Sequence, residues 1–285
     1  MGAVKATMSA ITTERRRYLS VTFCRFIRSE PHMLNDPFHL ILLLAAAFVA
    51  GALNAVAGGG SFLTLPALVF VGMPPVVANA TGTVALLPGY VSGALGFRED
   101  LEAPPGLTLR ALTVLSLVGG AIGAALLLVT DDKTFSKIVP WLLLLATVLF
   151  AVGPSLLRRL KGSGGGTQAS AGKSAAGMLA VSIYGGYFNG GLGILLLALF
   201  GLLGQTKLNA MNGMKNVVSA LLTAIAVAIY AWGGVVAWPQ ALVMMVAATA
   251  GGYFGARLAR RIPAPLMRAG IVLTGLVMTV LFFLR

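Results

Sequence analysis

The chain has 285 residues, 58% hydrophobic and only 10% charged, with a net charge of +13 and a mean hydropathy of +0.90. Soluble domains carry about 25% charged residues, so this composition excludes a water-soluble globule. The apolar blocks approach the ~20 residues that one bilayer span needs. The positive charge does not signal nucleic acid: Arg158, Arg159, Lys161 and Lys173, then Arg257, Arg260, Arg261 and Arg268, cluster between apolar blocks, where such residues set topology by the positive-inside rule.

In chain order, residues 1–36 form a polar, basic extension with Arg15, Arg16 and Arg17 in a row and no apolar h-region behind them. They are expected to be disordered, with Met33 as the natural start. The lone Cys24 excludes an internal disulfide, and His32 and His39 supply no zinc spacing. No metal and no cofactor are expected. The first membrane repeat, 37–157, holds apolar blocks at 38–57, 61–73, 75–97, 107–129 and 138–155. A basic linker, 158–173, leads to the second repeat, 174–285, with blocks at 175–189, 192–203, 207–231, 239–259 and 264–284.

Two of these blocks are cut by glycine. Gly58, Gly59 and Gly60 separate 38–57 from 61–73, and Gly190 and Gly191 separate 175–189 from 192–203. Consecutive glycines end helices, and irregular backbone at membrane depth survives only inside protein or beside a cavity. The two halves also repeat. Gly119-Gly120-x-x-Gly123 recurs as Gly251-Gly252-x-x-Gly255, and Asn54-x-x-x-Gly58 recurs as Asn189-x-x-x-Gly193. The expected fold is an all-α polytopic membrane protein of two homologous halves, each a glycine-broken helical pair plus three transmembrane helices. Placing the basic linker 158–173 and the basic loop 256–268 in the cytoplasm, and by the same crossing rule loop 98–106, with 130–137 and 232–238 outside, makes the halves inverted repeats. The GG-x-x-G elements themselves read as close helix packing.

All eight acidic residues lie outside the apolar blocks, so the usual carboxylate or histidine proton relay is missing. An intramembrane hydrolase lacks its acid–base pair too, and the chain is expected not to be an enzyme. What remains is neutral and polar. Asn209, Asn212, Asn216, Ser219 and Thr223 draw one stripe along a helix. Lys215 borders that stripe, roughly 12 Å from the start of its helix at about 1.5 Å per residue. A lysine at that depth either snorkels to the cytoplasmic surface or meets an anion. Asn79 and Thr83 form a weaker set, for which interhelical hydrogen bonding is the plain alternative. Asn54 and Asn189, one turn before their glycines, either cap the broken backbone or bind a ligand.

The stretches AGALNAVAGGGSFLTLPALVFVGMPPVVANATG (Ala50–Gly82), GGYFNGGLGILLLALFGLLGQTKLNAMNGMKN (Gly185–Asn216) and GGVVAWPQALVMMVAATAGGYFGARLARRI (Gly233–Ile262) resemble the TauE/SafE permeases, the sulfite-exporter family. Ser61 stands after Gly60 where many members continue with glycine. The resemblance implies transport of sulfur oxyanions or organosulfonates such as sulfite or sulfoacetate. The expected function is therefore a secondary permease or exporter of a small anion in the inner (plasma) membrane. Its partners are the anion, the lipid bilayer and, if the chain associates, a second copy of itself. An anion channel and a membrane-embedded scaffold without transport are the rival readings. The residues expected to line the site are Asn54, Gly58, Gly59, Gly60, Asn79, Thr83, Asn189, Gly190, Gly191, Asn212, Lys215 and Asn216. No GxxxxGK[ST] motif occurs, which argues against direct use of ATP.

Overall fold

The computed structural model describes residues 36–56, 58–162, 171–258 and 264–284. The expectation of disorder before residue 36 lies outside the described residues, as does the middle of the basic linker. Among the described residues the fold is helical throughout, with no strand. The first half contains α1 (Pro37–Val56), α2 (Ser61–Phe70), α3 (Pro75–Gly96), a 3-10 turn (Arg98–Asp100), α4 (Leu109–Val129) and α5 (Asp132–Gly162). The second contains α6 (Ala171–Tyr187), α7 (Leu192–Leu202), α8 (Leu208–Trp232), α9 (Trp238–Leu258) and α10 (Ala264–Phe283). By compactness the chain divides into Met1–Leu42 and Leu43–Arg285. In the first of these, Asp36 starts α1 by accepting from the Phe38 amide at 2.9 Å.

Local chemistry sets the boundaries. Pro75 opens α3 at a position where its missing N–H costs nothing, and Asp132 Oδ1 accepts from the Val76 amide at 3.0 Å. Thr108 caps α4 through the Ala111 amide. α5 starts well before the apolar block at 138, because Asp131 Oδ1 accepts from the Thr134 amide and caps the first turn. It then runs on to Gly162, into the stretch read as linker. Among the described residues three stretches join full-span length to high mean hydropathy: Pro37–Asn54, Leu109–Val129 and Asn209–Trp232. α3 misses that standard because its Asn79, Thr81, Thr83 and Tyr90 dilute it, and all four are buried.

The distribution of polarity is inside-out relative to a soluble protein. Phe70, Leu95, Val114, Trp141 and Val246 are exposed, while Asn54, Asn189, Asn216, Ser219 and Thr223 are buried. Lipid tolerates the first set, and the second must find partners within the protein.

Small residues bring the helices close. A Cβ on Gly123 of α4 would stand 2.1 Å from the Ile183 carbonyl oxygen of α6, and one on Gly186 would strike the Gly120 backbone. The second half repeats this between α9 and α1, where Cβ atoms on Gly251 and Gly51 would meet the Phe48 and Ala248 carbonyls at 1.8 and 1.9 Å. Only glycine permits such approach. Exchanging the two halves maps several of the helix pairs onto one another. It turns the α4–α8 contact into α3–α9, α5–α7 into α2–α10 and α2–α3 into α7–α8, and leaves the α3–α8 and α5–α10 pairs in place. α3 and α8 run antiparallel. The end of α3 meets the start of α8 (Phe97 against Gly213, Gly93 against Asn216), while near its start Thr81 accepts from the Ala237 amide beyond α8.

Candidate functional site

The two glycine breaks meet. Gly58 takes φ +71, and Gly191 and Asn189 take φ +70 and +60. Positive φ is routine for glycine, and asparagine is among the few other residues that adopt it readily. A Cβ on Gly58 would lie 2.9 Å from Gly193 Cα, so the backbones of the two broken segments are in direct contact. Neither short helix receives a side-chain cap: Gly60 precedes α2 and Gly191 precedes α7. Backbone carbonyls of the breaks satisfy several of the first amides, with Phe62 and Leu63 donating to Gly59 and Gly60 and Leu192 and Ile194 to Asn189 and Gly191, and the positive ends of both helix dipoles face the junction.

Side chains hold this junction. Asn54 Oδ1 accepts from the Gly59 amide at 3.3 Å, so Asn54 caps its own break. Asn189 behaves differently. Its Oδ1 accepts from the Tyr90 hydroxyl at 3.1 Å, and its Nδ2 donates to Thr223 Oγ1 at 3.5 Å. The Tyr90 hydroxyl also lies against the Asn54 side chain. One phenol on α3 thus joins the broken segments of both halves. Tyr184 donates to the Gly190 carbonyl at 2.6 Å, and Tyr230 donates to the carbonyl of Gly186.

A buried polar column runs from this junction along α8. Thr223, Ser219 and Lys215 are spaced by four residues and so share a face; they are 0%, 0% and 1% exposed. The Ser219 hydroxyl has no hydrogen-bond partner. The adjoining face of α8, with Met211, Met214, Val218 and Leu222, packs into an apolar core with Leu112, Met178, Leu196 and Phe200. At 1% exposure Lys215 does not snorkel. Among the described residues it is the one buried charged side chain, and it has neither a hydrogen bond nor an ion pair.

The other expected site residues divide. Asn216 is buried against Gly93, where a Cβ would stand 2.6 Å from its Nδ2. Asn212 is half-buried, and Asn209 is exposed. The stripe thus begins at the surface, where Asn209 helps to line a cavity of about 680 Å³ with Glu102 and Lys207. Lys207 Nζ lies 2.7 Å from Glu102 Oε2, and this hydrogen bond holds the lysine above its ordinary pKa. Asn79 and Thr83 stand apart from the column in their bonding. Asn79 Nδ2 donates to the Tyr187 carbonyl at 3.0 Å and Thr83 to the Asn79 carbonyl at 2.7 Å, the interhelical and intrahelical uses that such groups commonly have. Among the described residues no group of three His, Cys, Asp or Glu is placed to hold a metal ion.

Sequence reading did not single out Tyr90. Its one signal is a phenol directly after Gly89 in a helix otherwise free of titratable groups.

The junction and the column leading from it thus present two positive helix ends, the unpartnered Ser219 hydroxyl and, about two helical turns from Thr223, the unpaired Lys215 amine, with no carboxylate among these residues. Such a set suits a small anion. The family described as sulfite exporter TauE/SafE matches residues 43–282. A "Probable membrane transporter protein" of Haemophilus influenzae is 29% identical over 251 residues, covering 84% of this chain and 92% of its own. The "Probable membrane transporter protein YfcA" of Escherichia coli K12 is 27% identical over 251 residues, covering 86% and 89%. No solved structure matches the chain. With the family match spanning α1 to α10, the chain belongs to the TauE/SafE sulfite exporter family and is a membrane transporter of that family.

Proposed function

We propose that the chain is a secondary permease of a small anion in the cytoplasmic (inner) membrane, and that the anion binds between the glycine breaks and Lys215. The substrate class is a sulfur oxyanion or organosulfonate, such as sulfite or sulfoacetate. The observation that carries this reading is Lys215, 1% exposed and without a counter-charge. An uncompensated buried ammonium costs several kcal/mol, and an anion in the column offsets that cost. Ser219 supplies a further hydroxyl without a partner, and the positive ends of α2 and α7 add a favourable dipole field. The antiparallel α3–α8 pair and the exchange symmetry of the packing support inverted repeats, a plan that places the site between halves. The basic loops then face the cytoplasm.

The test is a panel of anions against thermal unfolding of the purified protein in detergent. A ligand at about 100 times its Kd stabilises the native state by about 2.7 kcal/mol. Lys215→Ala removes a partner worth about 1.5–3 kcal/mol, so affinity falls roughly tenfold to a hundredfold. Asn212→Ala has the smaller effect, since that side chain is only half-buried. An anion that stabilised Lys215→Ala as well as the unaltered protein would remove the lysine from the site.

A further inference from the structure

We propose that Lys215 takes up a proton with each anion, so that the permease is an anion–proton symporter. This rests on the anion-permease reading above. The geometry supplies the argument. The side chain is buried at 1% exposure, and the amine has no acidic partner and no hydrogen bond among the described residues.

Among the described residues the elements packed against α8 bring no buried counter-charge. α3 contributes only Tyr90, and α7 contributes no titratable residue. α4 contributes Arg110 and α6 contributes Lys173, both exposed, together with Tyr184 and Tyr187. The 3-10 turn carries Arg98, Glu99 and Asp100, all exposed. On α8 itself lies Tyr230, and Lys207, just before it, pairs with Glu102. Each phenol donates elsewhere: Tyr90 to Asn189, Tyr184 to Gly190, Tyr187 to Thr130 and Tyr230 to Gly186.

An ammonium at this place therefore has one source of compensation, the transported anion. By linkage, whatever makes the charged amine cheaper for the anion makes the anion bind tighter to the charged amine. The proton adds to the Nζ lone pair as the anion enters, and leaves to water from Nζ as the anion departs. No other bond changes. The polar column has no carboxylate or histidine to share this work.

The experiment uses the full chain in liposomes at pH 7.5 with an internal pH dye and labelled sulfoacetate, whose sulfonate is the anion of a strong acid. An inward sulfoacetate gradient acidifies the interior as label enters, and an imposed inward proton gradient speeds uptake. Lys215→Arg slows exchange through its bulk and planar shape. Because arginine keeps its proton, the label that still moves brings no acidification. Sulfoacetate entering through the unaltered protein without acidification, or acidification per label unchanged in Lys215→Arg, overturns the inference and leaves the permease standing. No sulfoacetate movement and no stabilisation by sulfoacetate overturns the permease reading for this anion, and the inference with it. Should Lys215→Arg not fold, the unaltered protein in weakly buffered detergent decides. Adding sulfoacetate then draws protons from solution, and a flat pH trace accompanied by binding refutes the proposal.

Discussion

Replacing Tyr90 by Phe deletes one oxygen at the point where the two halves meet. The hydroxyl donates to Asn189 Oδ1 at 3.1 Å and touches Asn54, and Tyr90 and Asn189 are 4% and 3% exposed. Water cannot readily replace the lost donor. A typical hydrogen bond contributes about 0.5–1.5 kcal/mol net, whereas a buried acceptor left without a donor costs about 1–3 kcal/mol. At roughly 2–4 °C per kcal/mol for a chain near this size, the loss of about 1–3 kcal/mol in Tyr90→Phe lowers the melting temperature in detergent by about 2–12 °C. Asn189→Gly removes the same acceptor while keeping a residue at ease at φ +60. The bond then appears as a coupling of about 0.5–3 kcal/mol between the two changes. Additive effects in Tyr90→Phe/Asn189→Gly, or no loss in Tyr90→Phe alone, would refute the bridge between the halves.

Three further outcomes follow from the same geometry. Gly58→Ala puts a Cβ 2.9 Å from Gly193 Cα at φ +71, so it carries about 1–2 kcal/mol of left-handed strain plus a backbone clash. Its folded yield on size exclusion should fall well below that of Gly172→Ala, where a Cβ meets nothing within 4 Å; equal yields contradict the contact between breaks. Gly123→Ala forces α4 from α6, since its Cβ falls 2.1 Å from the Ile183 carbonyl oxygen, and a melting temperature unchanged from the parent would show that the helices do not meet there. At the surface, the hydrogen bond that Lys207 donates to Glu102 raises the Lys207 pKa. The stabilisation linked to that shift is complete below the ordinary lysine range and is lost as pH rises through the raised value. NMR of methylated lysines should find Lys207 returning to its ordinary titration in Glu102→Gln, and an unmoved titration contradicts the pairing.

The membrane class and helical order were legible because a bilayer demands long apolar blocks. The breaks at Gly58–Gly60 and Gly190–Gly191 were legible because consecutive glycines end helices. Bond partners were not. Periodicity put Asn79 and Thr83 on an interior face, yet it could not tell that Asn79 would donate to Tyr187, over a hundred residues away. The stripe on α8 has helical spacing throughout, but its first turn reaches the surface, which exposes Asn209. Hydropathy missed the start of α5 because Asp131, which caps it, and most of its first residues, Asp132, Lys133, Thr134, Ser136 and Lys137, are polar or charged. Tyr90 escaped because its importance lies in a contact with Asn189 across the two halves, which no local pattern encodes.

The central claim, that this chain moves a small anion by binding it between its two halves, is tested most directly by counterflow. Purified protein is placed in liposomes preloaded with unlabelled sulfite or sulfoacetate, and the same anion, labelled, is added outside. The account predicts saturable uptake that preloading accelerates and that Lys215→Ala depresses. Uptake no greater than in protein-free liposomes for either anion, or a flux that grows linearly with concentration and ignores preloading, would contradict it.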